Sequence, residues 1–155
     1  MTASSAEKDD VPAGHVSVGG LLITPDGRVL LQLRDEKPSL LYPGYWMIPS
    51  GAPEPGETFL AGAVRELAEE TGYVMLDPKP LPIYQGPLPD GSTVTRHVFW
   101  DVYDAIQPIE VLEGQAMEFV SIEALATLKL VPGNDVIIQN AVSAYAALRA
   151  AQPRS

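Results

Sequence analysis

Alternation of apolar and polar positions marks several strands along this chain, and helical spacing marks two longer segments. His15 to Thr24 and Arg28 to Arg34 read as strands joined by a tight turn at Pro25-Asp26-Gly27. Trp46 to Pro49 reads as a short strand, Ser92 to Tyr103 as a long one, and Ala116 to Val120 as another short one. In the long strand Val94, Val98, Trp100 and Val102 share one face with Arg96, while Thr95, His97, Phe99, Asp101 and Tyr103 share the other. Thr58 to Thr71 has helical composition and ends at Gly72, where a C-terminal glycine belongs. At about 100° per residue its Leu60, Ala63, Val64, Leu67, Ala68 and Thr71 fall on one side. Ser121 to Leu125 predicts a short helix. Val136, Ile137, Ala141, Val142, Tyr145 and Leu148 form the apolar stripe of a last helix, capped by Asn134-Asp135. Between residues 78 and 89 five prolines restrict any strand to an edge. This order of strands and helices predicts a layered α/β or α+β domain over residues 15–150, preceded by a flexible lead-in of residues 1–14.

Composition narrows the possible functions. A chain of 155 residues, 46% hydrophobic and 19% charged, suits one globular domain. A formal net charge of −10 argues against a basic surface for nucleic acid. A small phosphorylated ligand is still compatible, its charge being met locally by a metal and a few arginines. With no cysteine, disulfides, thiolate nucleophiles and thiolate metal sites are excluded. No apolar run reaches membrane-spanning length, and the first ten residues lack the apolar core of a signal peptide. The expectation is a cytoplasmic protein with neither membrane nor nucleic-acid partners.

The chemistry concentrates between residues 50 and 73. Glu66, Glu69 and Glu70 lie within roughly 100° of one another on the helix face opposite the apolar one. Like charges at this spacing weaken a helix by a few tenths of a kcal/mol per pair, roughly. A solvated acidic face is the plain reading. Two features oppose it: Gly62 projects toward the carboxylates and leaves room for something to approach, and the preceding Pro-Ser-Gly-Ala-Pro-Glu-Pro-Gly-Glu loop brings carbonyl oxygens to the same place. Clustered oxygen donors suit a hard divalent cation such as Mg²⁺.

The spacing resembles a known signature. Gly51, five residues, Glu57, seven residues, then Arg65-Glu66-Leu67-Ala68-Glu69-Glu70-Thr71-Gly72-Tyr73 is similar to the motif of the Nudix hydrolases. Tyr73 stands where that family usually has an aliphatic residue, and Ser50 replaces the first glycine of a Gly-Gly pair. The resemblance implies an α/β/α sandwich with a mixed, curved sheet. It also implies hydrolysis of a diphosphate bond in a nucleoside diphosphate linked to another group, assisted by Mg²⁺ or Mn²⁺.

In that reading Glu66, Glu69, Glu70 and the Ser50 carbonyl hold metal, and Arg65 orients a carboxylate. Gly51, Glu57 and Gly72 support the loop and helix. The general base is Glu66 or Glu69 within the motif or Glu113 outside it, with Glu118 a second candidate beyond the motif. Arg34 is a substrate contact by resemblance, against a plain surface arginine. Trp46 stacks on a base or belongs to the core. Arg96 meets a substrate phosphate or forms an ion pair with a glutamate. His97 reads as a hydrogen-bonded strand histidine rather than a metal ligand. The alternative function is a nucleotide sensor of the same fold that binds without cleaving. Such proteins commonly form homodimers.

Overall fold

Eight buried or half-buried residues in a row, Val16–Ile23, form strand β1, the pattern of a strand covered on both faces. The structure, a computed structural model, describes residues 16–152; the expected lead-in of residues 1–14 lies outside them. β2 (Val29–Leu33) pairs antiparallel with β1 through Ile23 and Val29, and beyond that pair the two strands part. Of the strand expected over Trp46–Pro49 only the first half forms, and a second short strand follows just beyond it. β3 (Trp46–Met47) pairs with β2, and β4 (Ser50–Gly51) pairs with β1. Pro49, which has no N–H, sits at the switch and gives its carbonyl to the Gly20 N–H at 3.1 Å.

Helix α1 (Phe59–Thr71) follows. β5 (Lys79–Pro80) and β6 (Tyr84–Pro87) then pair along the outer side of β7 (Thr93–Val102), the edge position that their prolines require. β7 runs parallel to β1 over eight residue pairs, from Val16–Thr95 to Ile23–Val102. β8 (Ala116–Val120) closes the opposite side on β2, followed by a 3-10 turn at Glu123–Thr127 and helix α2 (Asn134–Ala151). The result is a mixed sheet with a helical layer on each face. On one side Leu21, Ile23, Leu31, Ile48, Val98 and Trp100 pack with Ile137, Ile138 and Ala141 of α2. On the other, Leu22 and Leu30 pack with Ala63 and Leu67 of α1 and with Tyr73. Among the described residues no helix is long and apolar enough to cross a membrane.

Four local expectations change. The buried face of α1 is Gly62, Ala63, Glu66, Leu67, Glu70 and Thr71, while Leu60 is exposed. The room expected at Gly62 is filled: a Cβ there would lie 2.9 Å from both Val18 and Glu57. Lacking one, the helix closes on β1 and carries Glu66 and Glu70 inward. At the start of α2 the cap is Gly133 at φ 91, with no side-chain cap bond. Asn134, 2% exposed, instead accepts a hydrogen bond at 2.8 Å from the Ile48 N–H. Val136 is exposed, and Ile138 takes the buried position.

Candidate active site

The loop from Gly51 to Thr58 is held to α1 by one guanidinium. Thr58 starts the helix by accepting the Ala61 N–H at 3.1 Å. Gly72, at φ 79, ends it with its N–H on the Ala68 carbonyl. Arg65 donates through Nε and Nη2 to the two oxygens of Glu57 at 2.6 and 2.8 Å. The same Nη2 reaches the Ala52 carbonyl at 3.1 Å, and Nη1 reaches Glu66 at 2.8 Å and Glu69 at 3.2 Å. Glu57 also accepts the Glu54 N–H, so a single carboxylate staples the loop to itself and to the helix. These bonds, first those with Glu57, hold the Arg65 pKa above its ordinary value.

Glu66 and Glu70 are 3% and 1% exposed. Burial raises the pKa of Glu66, against the pull of its hydrogen bonds with Glu70 and Arg65. Two acidic side chains in hydrogen-bond contact share a proton unless a cation stands between them. Gly51 is needed beside them, since a Cβ there would lie 2.6 Å from the Glu66 carboxylate. Glu69 is the outer member, about half exposed and tied to Arg65. All of these donors are hard oxygens, which fit Mg²⁺ or Mn²⁺. Among the described residues no three acidic or histidine side chains stand close enough to enclose an ion as arranged.

Residues far apart in sequence meet beside this helix. Arg34, Ser50 and Glu113 line one pocket with Gln32, Asp35, Leu40 and Gly114. Gln32 donates to the Glu113 carbonyl at 3.1 Å, and Gln115 donates to the Arg34 carbonyl at 2.7 Å. The same loop is tied to the end of α1 by the Leu112 N–H on the Glu70 carbonyl. Arg34 is buried, its Nε donating to the Leu41 carbonyl at 2.8 Å and its Nη1 meeting the Met47 sulfur. Glu118 is exposed on β8.

Trp46 packs against the core on the α2 side. Arg96 is 5% exposed on that same side and forms no ion pair among the described residues, so the expected glutamate partner is replaced by none. Among the described residues His97 makes no hydrogen bond of the kind expected of it. It lies flat on Phe59, the ring centroids 3.8 Å apart and the planes 11° from parallel, and burial lowers its pKa. Asn134 and Gln32 carried no functional expectation, because their partners lie 86 and 81 residues away.

Comparison with known proteins agrees with this layout. Residues 13–141 match the NUDIX domain family. An RNA pyrophosphohydrolase of Caulobacter vibrioides is 40% identical over 68 residues, 44% of this chain and 38% of that protein. The chain's match thus spans well under half the length of that relative. Two solved structures share the fold. A MutT protein from Methanosarcina mazei has TM-score 0.69 and 24% identity, covering 85% of this chain and 94% of that one. The NUDIX domain of Shewanella oneidensis NrtR, complexed with ADP ribose, has TM-score 0.72 and 20% identity, covering 86% and 90%. With a family match running through most of the chain and a fold shared with solved structures of that family, this protein belongs to the Nudix family.

Proposed function

We propose that this chain hydrolyses a diphosphate bond in a nucleoside diphosphate linked to a further group, with Mg²⁺ or Mn²⁺ as cofactor. The observation that carries the reading is the pair of carboxyl groups on Glu66 and Glu70, almost fully buried and in contact at the Gly51 edge of the sheet. Burying two acids together is costly unless a cation is their intended partner. Glu66, Glu70 and Glu69, with the Ser50 carbonyl, would hold the metal. When bound it supplies charge neutralisation for the phosphates and acidifies a water.

The chain's own residues do the rest. Arg65 positions Glu66 and Glu69 through its two Nη1 bonds. Glu57 and Gly51 keep the loop against the helix, and Gly72 ends the helix after the last glutamate. Water is deprotonated by Glu66, Glu69 or Glu113, the last sharing a pocket with Ser50 and Arg34. Arg34, Trp46 and Arg96 are the substrate contacts in this reading, with Trp46 contributing mainly to the core layer beneath them. The Caulobacter relative, named for pyrophosphohydrolysis, supports the reaction class.

The test is a nucleotide panel incubated with Mg²⁺, with and without chelator. Chelator-sensitive release of a mononucleotide is the expected result, with Glu70→Gln drastically lowering turnover while circular dichroism stays unchanged. Binding without release would instead make the protein a sensor, and wild-type rates in Glu70→Gln would reject the metal assignment.

A further inference from the structure

Arg96 lies in the middle of β7, 5% exposed, and its Nε is enclosed with no hydrogen-bond partner among the described residues. The other described arginines are all met. Arg28 pairs with Asp26, Arg34 donates to the Leu41 carbonyl, Arg65 holds its glutamates, and Arg149 donates to the Pro25 carbonyl. A guanidinium cannot shed its proton in a protein, so a buried one needs a counter-charge. Among the described residues none pairs with Arg96. Its register partners are Ser17 on β1 and Tyr84 on β6. Burial depresses its pKa, Tyr84 and Tyr42 oppose that, and the positive charge of Arg34 adds to it.

Position decides which part of a ligand could answer. Arg96 pairs with Ser17, while Gly19, two residues on and facing the same side, pairs with Ser50 of β4. Two inter-strand spacings therefore separate Arg96 from the strand that opens the acidic loop, about 10 Å. Arg96 also faces the α2 side of the sheet, with Val98 and Trp100, whereas Glu66 and Glu70 lie on the α1 side. A diphosphate held by those glutamates is out of its reach. A neutral acceptor would satisfy Nε but leave the charge unanswered.

We propose that Arg96 receives a second anionic group of the substrate, a phosphate separate from the hydrolysed linkage, so that the preferred substrate is a nucleotide phosphorylated on its sugar as well. The proposal rests on the hydrolase reading for where the diphosphate lies, but the phosphate site itself needs no metal.

Isothermal titration of inorganic phosphate into the full chain, with chelator present, should show one site. Arg96→Met should weaken it about ten- to hundredfold, as loss of a charge-assisted bond does. Arg96→Lys should retain part of it and Glu70→Gln all of it. In Mg²⁺ the wild type should favour a 3′-phosphorylated nucleoside triphosphate over the unphosphorylated one by at least roughly tenfold in kcat/KM, and Arg96→Met should lose that preference. Thermal unfolding checks that the methionine variant folds; if it does not, Arg96→Gln is read instead. Absent phosphate binding, binding unchanged by substitution, or a preference that follows the base and ignores the 3′-phosphate each overturns the proposal. Failure of the metal-free binding leaves the hydrolase reading standing. Arg96-dependent phosphate binding without any hydrolysis removes the hydrolase reading and keeps this site.

Discussion

Arg65 and Arg96 are both largely buried in a chain of net charge −10, and the fold treats them in opposite ways. Arg65 spends its donors on Glu57, Glu66, Glu69 and the Ala52 carbonyl, joining a loop to a helix. Arg96 has its Nε enclosed with nothing to donate to among the described residues. A fully met guanidinium is part of the scaffold, and removing it strands the carboxylates around it. An unmet one is a standing cost, and removing it relieves that cost. The difference teaches that burial of a charge says little by itself; what counts is whether the protein or the ligand supplies the opposite sign.

Substitution should separate the two cleanly. Arg65→Met takes from Glu57 and the buried Glu66 the guanidinium they share, and should cost about 3 kcal/mol or more in chemical denaturation, the loss expected when one member of a buried pair is removed. The exposed Glu69 contributes little of this. A loss under about 1 kcal/mol would mean that solvent already screens the cluster.

Next in size is Asn134→Ala, which strands the buried Ile48 N–H just ahead of the acidic loop. The expected cost is about 1–2 kcal/mol, with a fall in turnover greater than any change in KM; an unaltered turnover would separate this tether from the active site. Arg96→Met should move stability the other way, unchanged or raised by about 1 kcal/mol. A clear destabilisation would show that Arg96 has a structural partner after all.

The smallest effect concerns His97. Its folded pKa lies below the ordinary value through burial, so the unfolded chain binds the proton more readily. The stability it contributes is complete above about pH 6.5 and is lost as pH falls through the folded pKa. Replacing it with Phe should flatten that part of the stability profile, and an unchanged slope would exclude His97 as its source.

Much of the fold could be read along the chain because its signals are local. β7 begins and ends one residue inside the expected strand, β8 coincides with it, and α1 begins one residue late. The prolines after α1 placed β5 and β6 at an edge before any partner was known. Other features depended on which surfaces meet. Periodicity put Glu66 and Glu70 on an outer face of α1, whereas contact with β1 at Gly62 turned them inward. Trp46–Pro49 read as one strand, yet only Trp46–Met47 pairs with β2, and where β1 and β2 part the following Ser50–Gly51 pairs with β1.

By itself the sequence determined the element order, the family signature from Gly51 to Tyr73 and the oxygen-rich character of the acidic helix, since periodicity, turn residues and motif spacing act over a few residues. Only the tertiary structure decided that Glu66 and Glu70 are buried, that Asn134 anchors Ile48 instead of capping its helix, and that Arg96 is enclosed without a counter-charge among the described residues. Those outcomes depend on groups many residues apart being pressed together with water excluded, and no local pattern encodes which groups will meet.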